Sequence, residues 1–84
     1  MKIYKIEFKK QVEKFLDSRT SKERKQLLAL IYKLPNGVHN SKMEGYKNRY
    51  RLRVGSVRVI YEVYDDLLII LILKIDNRGD VYKK

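Results

Sequence analysis

The strongest constraint on the fold is the run RYRLRVGSVR at positions 49–58, in which cationic and apolar residues alternate around a Gly-Ser pair. Successive side chains of a strand point to opposite faces, so this alternation predicts two strands, each with one cationic and one apolar face. A two-residue turn at Gly55-Ser56 would join them and set residue 53 opposite residue 58. The run therefore predicts a hairpin with an arginine face, which carries Arg49, Arg51, Arg53 and Arg58.

The residues before this hairpin predict one strand and two helices. Residues 2–8 are expected to form a strand, with Tyr4, Ile6 and Phe8 on one face. From residue 9 the apolar residues recur every three to four positions, which favours a short amphipathic helix with its lysines outward. A second helix is expected to begin at Thr20, because Thr20 and Glu23 have the spacing of a capping box, and to end at residues 35–37.

The residues after the second helix predict a loop at 36–48 and strands at 49–54, 57–64 and 67–75. A tight turn at Asp65-Asp66 would set residue 61 opposite residue 70. The side chains expected to face the helices are Val57, Val59, Tyr61, Val63, Leu68, Ile70 and Ile72. The order βααβββ predicts a single α+β domain over residues 1–84, with two N-terminal helices packed on one face of a twisted, mostly antiparallel four-stranded sheet.

The opposite face of the sheet is expected to lie open. Besides the arginines it carries an apolar strip, which comprises Ile60, Ile69, Leu71 and Leu73. An open apolar strip beside a cationic one predicts a site for a protein partner. The alternatives are that Tyr64, the 36–48 loop or a second copy of the chain covers it.

Composition narrows the kind of partner. Twenty Lys and Arg residues against ten Asp and Glu residues give a net charge of +10, which favours nucleic acid, ribosomes or acidic proteins. A basic face built on strands argues against a membrane surface, and the apolar run at 67–73 is too short to span a bilayer. The absence of cysteine excludes disulfides and thiolate metal sites. We expect a small soluble, cytoplasmic protein without a secretory signal.

The sequence DNRGDVY at 76–82 is expected to fold back across the open face and bring Arg78 and Tyr82 near Arg58. Several guanidiniums around one phosphate can neutralise the charge of a pentacoordinate transition state, and a tyrosine can stack on a base. This set suits RNA cleavage by the neighbouring 2′-hydroxyl, which requires neither a metal nor a cofactor. Glu62 is a candidate base, although its expected place opposite Arg49 favours an ion pair.

Residues 43–82, above all YRLRVGSVRVIYEV and the later RGDVY, resemble the C-terminal half of RelE-type toxins of bacterial toxin–antitoxin pairs. Residues 1–35 resemble them in element order alone. The resemblance implies a ribosome-dependent endoribonuclease that cleaves messenger RNA in the A site and is neutralised by a cognate antitoxin. The roles it implies are phosphate binding for Arg51 and Arg53, transition-state stabilisation for Arg58, assistance to the leaving oxygen for Arg78 and base stacking for Tyr82.

The sequence departs from this pattern at one place, because many relatives have Gly-His where this chain has Asp76-Asn77. Lys47 is a candidate contact to substrate or 16S ribosomal RNA, and Ile60, Ile69 and Leu71 are candidate antitoxin contacts. His39 is expected to be a solvated loop residue. Two other functions stay open: a ParE-like toxin that inhibits DNA gyrase by protein contact, and a non-catalytic RNA-binding remnant.

Overall fold

The computed structural model describes residues 3–34 and 40–77. Its elements are β1 (Lys5–Phe8), α1 (Lys10–Asp17), α2 (Ser21–Ile31), β2 (Asn40–Lys42), β3 (Arg49–Val54), β4 (Val57–Tyr64) and β5 (Ile69–Asn77). The strands form one sheet in the order β1-β5-β4-β3-β2, in which β1 runs parallel to β5 and the other pairs are antiparallel. The predicted α+β class and the mostly antiparallel sheet are confirmed, although the described residues form five strands and not four.

The additional strand, β2, lies within the segment that was expected to be a loop. It pairs with β3 and places Ser41 opposite Arg51. Its sequence, Asn-Ser-Lys, has no alternation of polar and apolar residues that would predict a strand. The strand forms because its backbone satisfies the outer hydrogen-bonding edge of β3, which is a tertiary effect.

The two helices share one face of the sheet and enclose the core with it. The predicted capping box is present at the start of α2, where Thr20 Oγ1 accepts from the backbone nitrogen of Glu23 at 3.2 Å. Neither helix among the described residues is long and apolar enough to cross a membrane. The buried core residues are Val12, Leu16, Leu27, Ile31, Leu34, Leu52, Val59, Tyr61, Ile70, Ile72 and Ile75.

The connection between β4 and β5 differs from the predicted two-residue turn. Residues 65–68 form it, so that Tyr64 pairs with Ile69, and the predicted pairing of residue 61 with residue 70 is wrong. Two-residue hairpin turns need positive φ angles that glycine and asparagine adopt most readily, and Asp65-Asp66 supplies neither. The longer connection places Leu68 in the left-handed region, at φ 54, and leaves it exposed and not on the helix-facing side.

A β-bulge in the β4–β5 pairing decides which residues of β5 face the core. Tyr61 pairs with Ile72, whereas the preceding residue of β4 pairs with Lys74, so β5 carries one additional residue. Strict alternation after Ile72 would direct Lys74 toward the helices, where burial of its ammonium group is costly. With the bulge, Lys74 is exposed and Ile75 is fully buried. The bulge also turns Asp76 toward the arginine face.

Candidate functional site

The arginine face forms as predicted, because the β3–β4 turn has the expected length. Gly55 has φ +58, as the first central residue of a two-residue type II′ turn requires. The resulting register sets Arg53 opposite Arg58, and Arg49 opposite Glu62. The apolar side chains of the same strands face the helices, where Leu52 is 2% exposed.

The arginine face borders a depression of about 410 Å³, which we call the arginine depression. It is open to solvent on the side of the sheet opposite the helices. Three neighbouring strands supply most of its lining, and the bulge in β5 brings two of its charged residues there. The lining residues are Met43, Arg49, Arg51, Arg58, Ile60, Leu73, Lys74 and Asp76.

The two predicted phosphate-binding arginines have no carboxylate partner among the described residues. Arg51 is half-buried and Arg53 is exposed, and neither forms a salt bridge within residues 3–34 and 40–77. The Nε of Arg51 is shielded from solvent and has no hydrogen-bond partner in that part of the chain. A guanidinium presents several fixed donors that match phosphate oxygens, so Arg51 is available to an anion that enters the depression.

Arg58 is half-buried and is paired with a carboxylate that the sequence did not reveal. Its Nη2 lies 3.5 Å from Oδ2 of Asp76, and Nζ of Lys74 lies 4.0 Å from the same oxygen. The prediction that residue 76 leaves the sheet in a tail is wrong, because β5 continues through Asn77. The sequence signal for this pair is Asp76, an acidic residue that directly follows an apolar alternation. The bulge hid the pair, because strict alternation does not place Asp76 opposite Arg58.

Arg49 takes part in a separate network at the other end of the face. Its Nε and Nη2 donate to Oε2 of Glu62 at 3.1 and 2.8 Å, and the hydroxyl of Tyr64 donates to Oε1. The Tyr64 hydrogen bond, together with that of Arg49, lowers the pKa of Glu62 below its usual value. The expected ion pair is therefore confirmed, and a carboxylate held so firmly in its ionised form is a weak proton acceptor.

Two residues of the segment between β2 and β3 differ in their relation to the site. Tyr46 is 46% exposed, and the Arg49 guanidinium lies 4.2 Å from its ring centroid. Tyr46 is therefore not a core residue, whereas the rings of Tyr50 and Tyr61 stack within the sheet with their centroids 5.6 Å apart. Lys47 is exposed and does not line the arginine depression.

The apolar strip lies on the same open face, as predicted. Ile60, Ile69 and Leu71 are half-buried and do not belong to the core cluster or pack against it. Leu71 pairs with Glu62 on one side and Glu7 on the other, so the strip runs from the arginine depression toward β1. Both helices lie on the opposite face of the sheet, so neither of them covers the strip.

Three residues from the sequence analysis, Arg78, Tyr82 and His39, lie outside the described residues. The proximity of Arg78 and Tyr82 to Arg58 therefore stays a prediction.

Comparisons with known proteins agree with this fold. The family model described as the ParE toxin of the type II toxin–antitoxin system parDE matches residues 3–82. A search among curated proteins found no match.

Solved structures include close relatives in fold. The archaeal RelE–RelB complex from Pyrococcus horikoshii OT3 contains a chain with 33% identity and a TM-score of 0.73, with 92% of this chain and 97% of that chain covered. The RelB–RelE complex from Methanococcus jannaschii contains a chain with 28% identity and a TM-score of 0.70, with 90% of this chain and 94% of that chain covered. The complex RelBE2 from Mycobacterium tuberculosis contains a chain with the same fold, at 18% identity and a TM-score of 0.77. The alignment covers 95% of this chain and 97% of that chain.

The family match covers nearly the whole chain, and the aligned structures have the same arrangement of helices and strands. The chain belongs to the RelE/ParE superfamily and is a toxin of a type II toxin–antitoxin system.

Proposed function

We propose that this toxin is a ribosome-dependent endoribonuclease that cleaves messenger RNA in the ribosomal A site. The observation that supports the proposal is the arginine depression, where Arg51, Arg58 and Lys74 converge on a space large enough for a phosphodiester group. Inhibition of a protein target would not require several cations around one small depression. The charge of +10 suits a protein that works among ribosomal RNA phosphates, with Lys47 as one contact.

The reaction consistent with these residues is an internal transfer at phosphorus. The 2′-oxygen of the substrate forms a bond to phosphorus while the bond from phosphorus to the 5′-oxygen breaks, which gives a 2′,3′-cyclic phosphate and a 5′-hydroxyl. Negative charge on the non-bridging oxygens rises in the transition state, and Arg51 and Arg58 stabilise it there. Arg53 binds a neighbouring phosphate. By the family resemblance, Arg78 assists the leaving oxygen and Tyr82 stacks on a base.

The same step removes a proton from the 2′-hydroxyl and adds one to the 5′-oxygen. Glu62 is committed to Arg49 and Tyr64 and does not serve as the base, so solvent water accepts the first proton and supplies the second. Proper placement of the 2′-oxygen in line with the leaving oxygen then supplies much of the rate enhancement. This reasoning makes cleavage of an unpositioned RNA in solution slow.

The cognate antitoxin is proposed to cover the apolar strip. Ile60 lies at the border of the arginine depression, and Ile69 and Leu71 continue the strip toward β1. A segment that buries these side chains would also lie across the entrance to the arginine depression. Binding and inhibition would then be consequences of a single docking event.

A second candidate is inhibition of DNA gyrase by protein contact, because the matching family model is that of ParE toxins. Primer extension on a translated message, run beside a gyrase supercoiling assay, separates the two functions. We expect cuts at codon positions that weaken about 100- to 1,000-fold in Arg58→Ala, as for loss of one transition-state donor. Lys25→Ala is the matched control, since it removes one positive charge from the helical layer. Intact messages with inhibited supercoiling would refute the nuclease.

A further inference from the structure

Among the described residues that line the arginine depression, Asp76 is the one acidic residue. Its Oδ2 lies 3.5 Å from Nη2 of Arg58 and 4.0 Å from Nζ of Lys74. The side chains of Arg58 and Asp76 are 28% and 33% exposed, so the pair is partly shielded from water. A carboxylate in this position takes the place that an anionic ligand of Arg58 would take.

The contact between Arg58 and Asp76 is loose. Charge-assisted hydrogen bonds between nitrogen and oxygen are usually about 2.7–2.9 Å long, and the Arg49–Glu62 pair of the same sheet reaches 2.8 Å. By contrast, the Arg58–Asp76 distance is 3.5 Å, and Nε of Arg58 and Oδ1 of Asp76 are shielded from solvent without hydrogen-bond partners among the described residues. A phosphate with several oxygens can satisfy Arg58 better than this carboxylate does.

An exchange of partners would keep the half-buried charge of Arg58 paired throughout. Removal of one member of a shielded ion pair is costly because the other charge is left without a partner. When a phosphate replaces the carboxylate, Arg58 moves directly from one anion to another, and Lys74 stays near Asp76 to compensate the released charge. Arg51 then adds a contact that the carboxylate does not make.

We propose that Asp76 is an internal competitor of the substrate phosphate, which holds Arg58 in the unbound toxin and yields it to a phosphodiester on RNA binding. The inference rests on the proposed function for the identity of the ligand. Asp76 is thus a positioning residue that acts through Arg58. It weakens the binding of isolated phosphates and favours a substrate that is held by further contacts at the same time.

The test measures binding without chemistry. A fluorescent RNA oligonucleotide with 2′-O-methyl groups keeps its phosphates and lacks the nucleophile, so its anisotropy reports affinity alone at constant ionic strength. We expect Asp76→Asn to bind about three- to ten-fold more tightly than wild type, as for the loss of one partly exposed competing charge. Asp66→Asn makes the same change of charge in the exposed β4–β5 turn and is expected to leave the affinity within about two-fold of wild type.

A second pair of variants tests whether Asp76 acts through Arg58. Asp76→Asn should not increase the RNA affinity in the Arg58→Gln background, because there is then no Arg58 for which Asp76 and a phosphate compete. Three results would each overturn the inference: an equal increase in RNA affinity in Asp66→Asn, an increase that persists in the Arg58→Gln background, or no increase in Asp76→Asn. Asp76→Ser repeats the measurement if the asparagine variant does not fold. Tighter binding through Arg58 without ribosome-dependent cleavage would overturn the proposed function and leave this inference standing.

Discussion

Replacement of Glu62 by glutamine tests the network that holds one end of the arginine face. The carboxylate accepts two hydrogen bonds from Arg49 and one from Tyr64, and its side chain is 13% exposed. Hydrogen bonds to charged groups contribute about 1.5–3 kcal/mol each. Glutamine keeps one carbonyl acceptor, and water reaches Arg49, which is 30% exposed. We therefore expect Glu62→Gln to lower the free energy of unfolding by about 1–2 kcal/mol at pH 7.

The assay is thermal unfolding followed by circular dichroism. For a domain of this size, that loss corresponds to a fall of about 5–15 °C in the midpoint temperature. Glu44→Gln is the control, because Glu44 is exposed and the substitution removes the same charge. A midpoint for Glu62→Gln equal to that of Glu44→Gln would refute the proposed role of the network.

The pH dependence of the free energy of unfolding gives a second, independent check on the role of Glu62. The Tyr64 and Arg49 hydrogen bonds lower the pKa of Glu62 in the folded protein below its usual value of 4.5. A group with a depressed folded pKa contributes stability that is fully present above the unfolded pKa and is lost as the pH falls through the folded pKa. The gap between wild type and Glu62→Gln should stay constant from neutral pH to about pH 5 and narrow below it. A gap that persists undiminished in acid would contradict the assignment.

Three further predictions concern the core, the β3–β4 turn and the apolar strip. Val59→Asp should unfold the protein because Val59 is 0% exposed, whereas Ile60→Asp, one residue along on the open face, should fold; circular dichroism distinguishes the two. Gly55→Ala should lower the free energy of unfolding in urea by about 1 kcal/mol, since φ is +58, while no described residue beyond its two chain neighbours lies within 4 Å of the added Cβ. Leu71→Glu should weaken antitoxin binding in calorimetry by at least about ten-fold while cleavage persists, and Leu67→Glu, outside the strip, should not.

The parts of the fold that the sequence predicted are those set by strong local signals. The glycine at position 55 fixes the hairpin register, and with it the side of the sheet on which the arginines lie. The Thr20–Glu23 spacing likewise marks the start of α2. These features depend on a few adjacent residues, so pattern and turn chemistry suffice to find them.

The features that the sequence did not predict depend on pairing between distant segments. The strand β2 exists because β3 offers it an edge, and its own residues carry no alternation. The bulge in β5 exists because Lys74 cannot be buried, and a period-two reading assumes that no residue is added. Through this shift Asp76 lies opposite Arg58, which strict alternation along β5 could not predict, whereas the wrong pairing of residue 61 comes from the longer β4–β5 connection.

The position of β5 in the sheet has a consequence for how the toxin is synthesised. β5 lies between β1 and β4, although β1 precedes both helices and β5 follows all the other strands in the chain. Contacts between segments so far apart form late, and β1 has no neighbour in the sheet until β5 is present. Neither the core around Ile70 and Ile72 nor the Lys74 side of the arginine depression can form in a nascent chain that lacks β5. The toxin therefore completes this face of its sheet only after β5 has been synthesised.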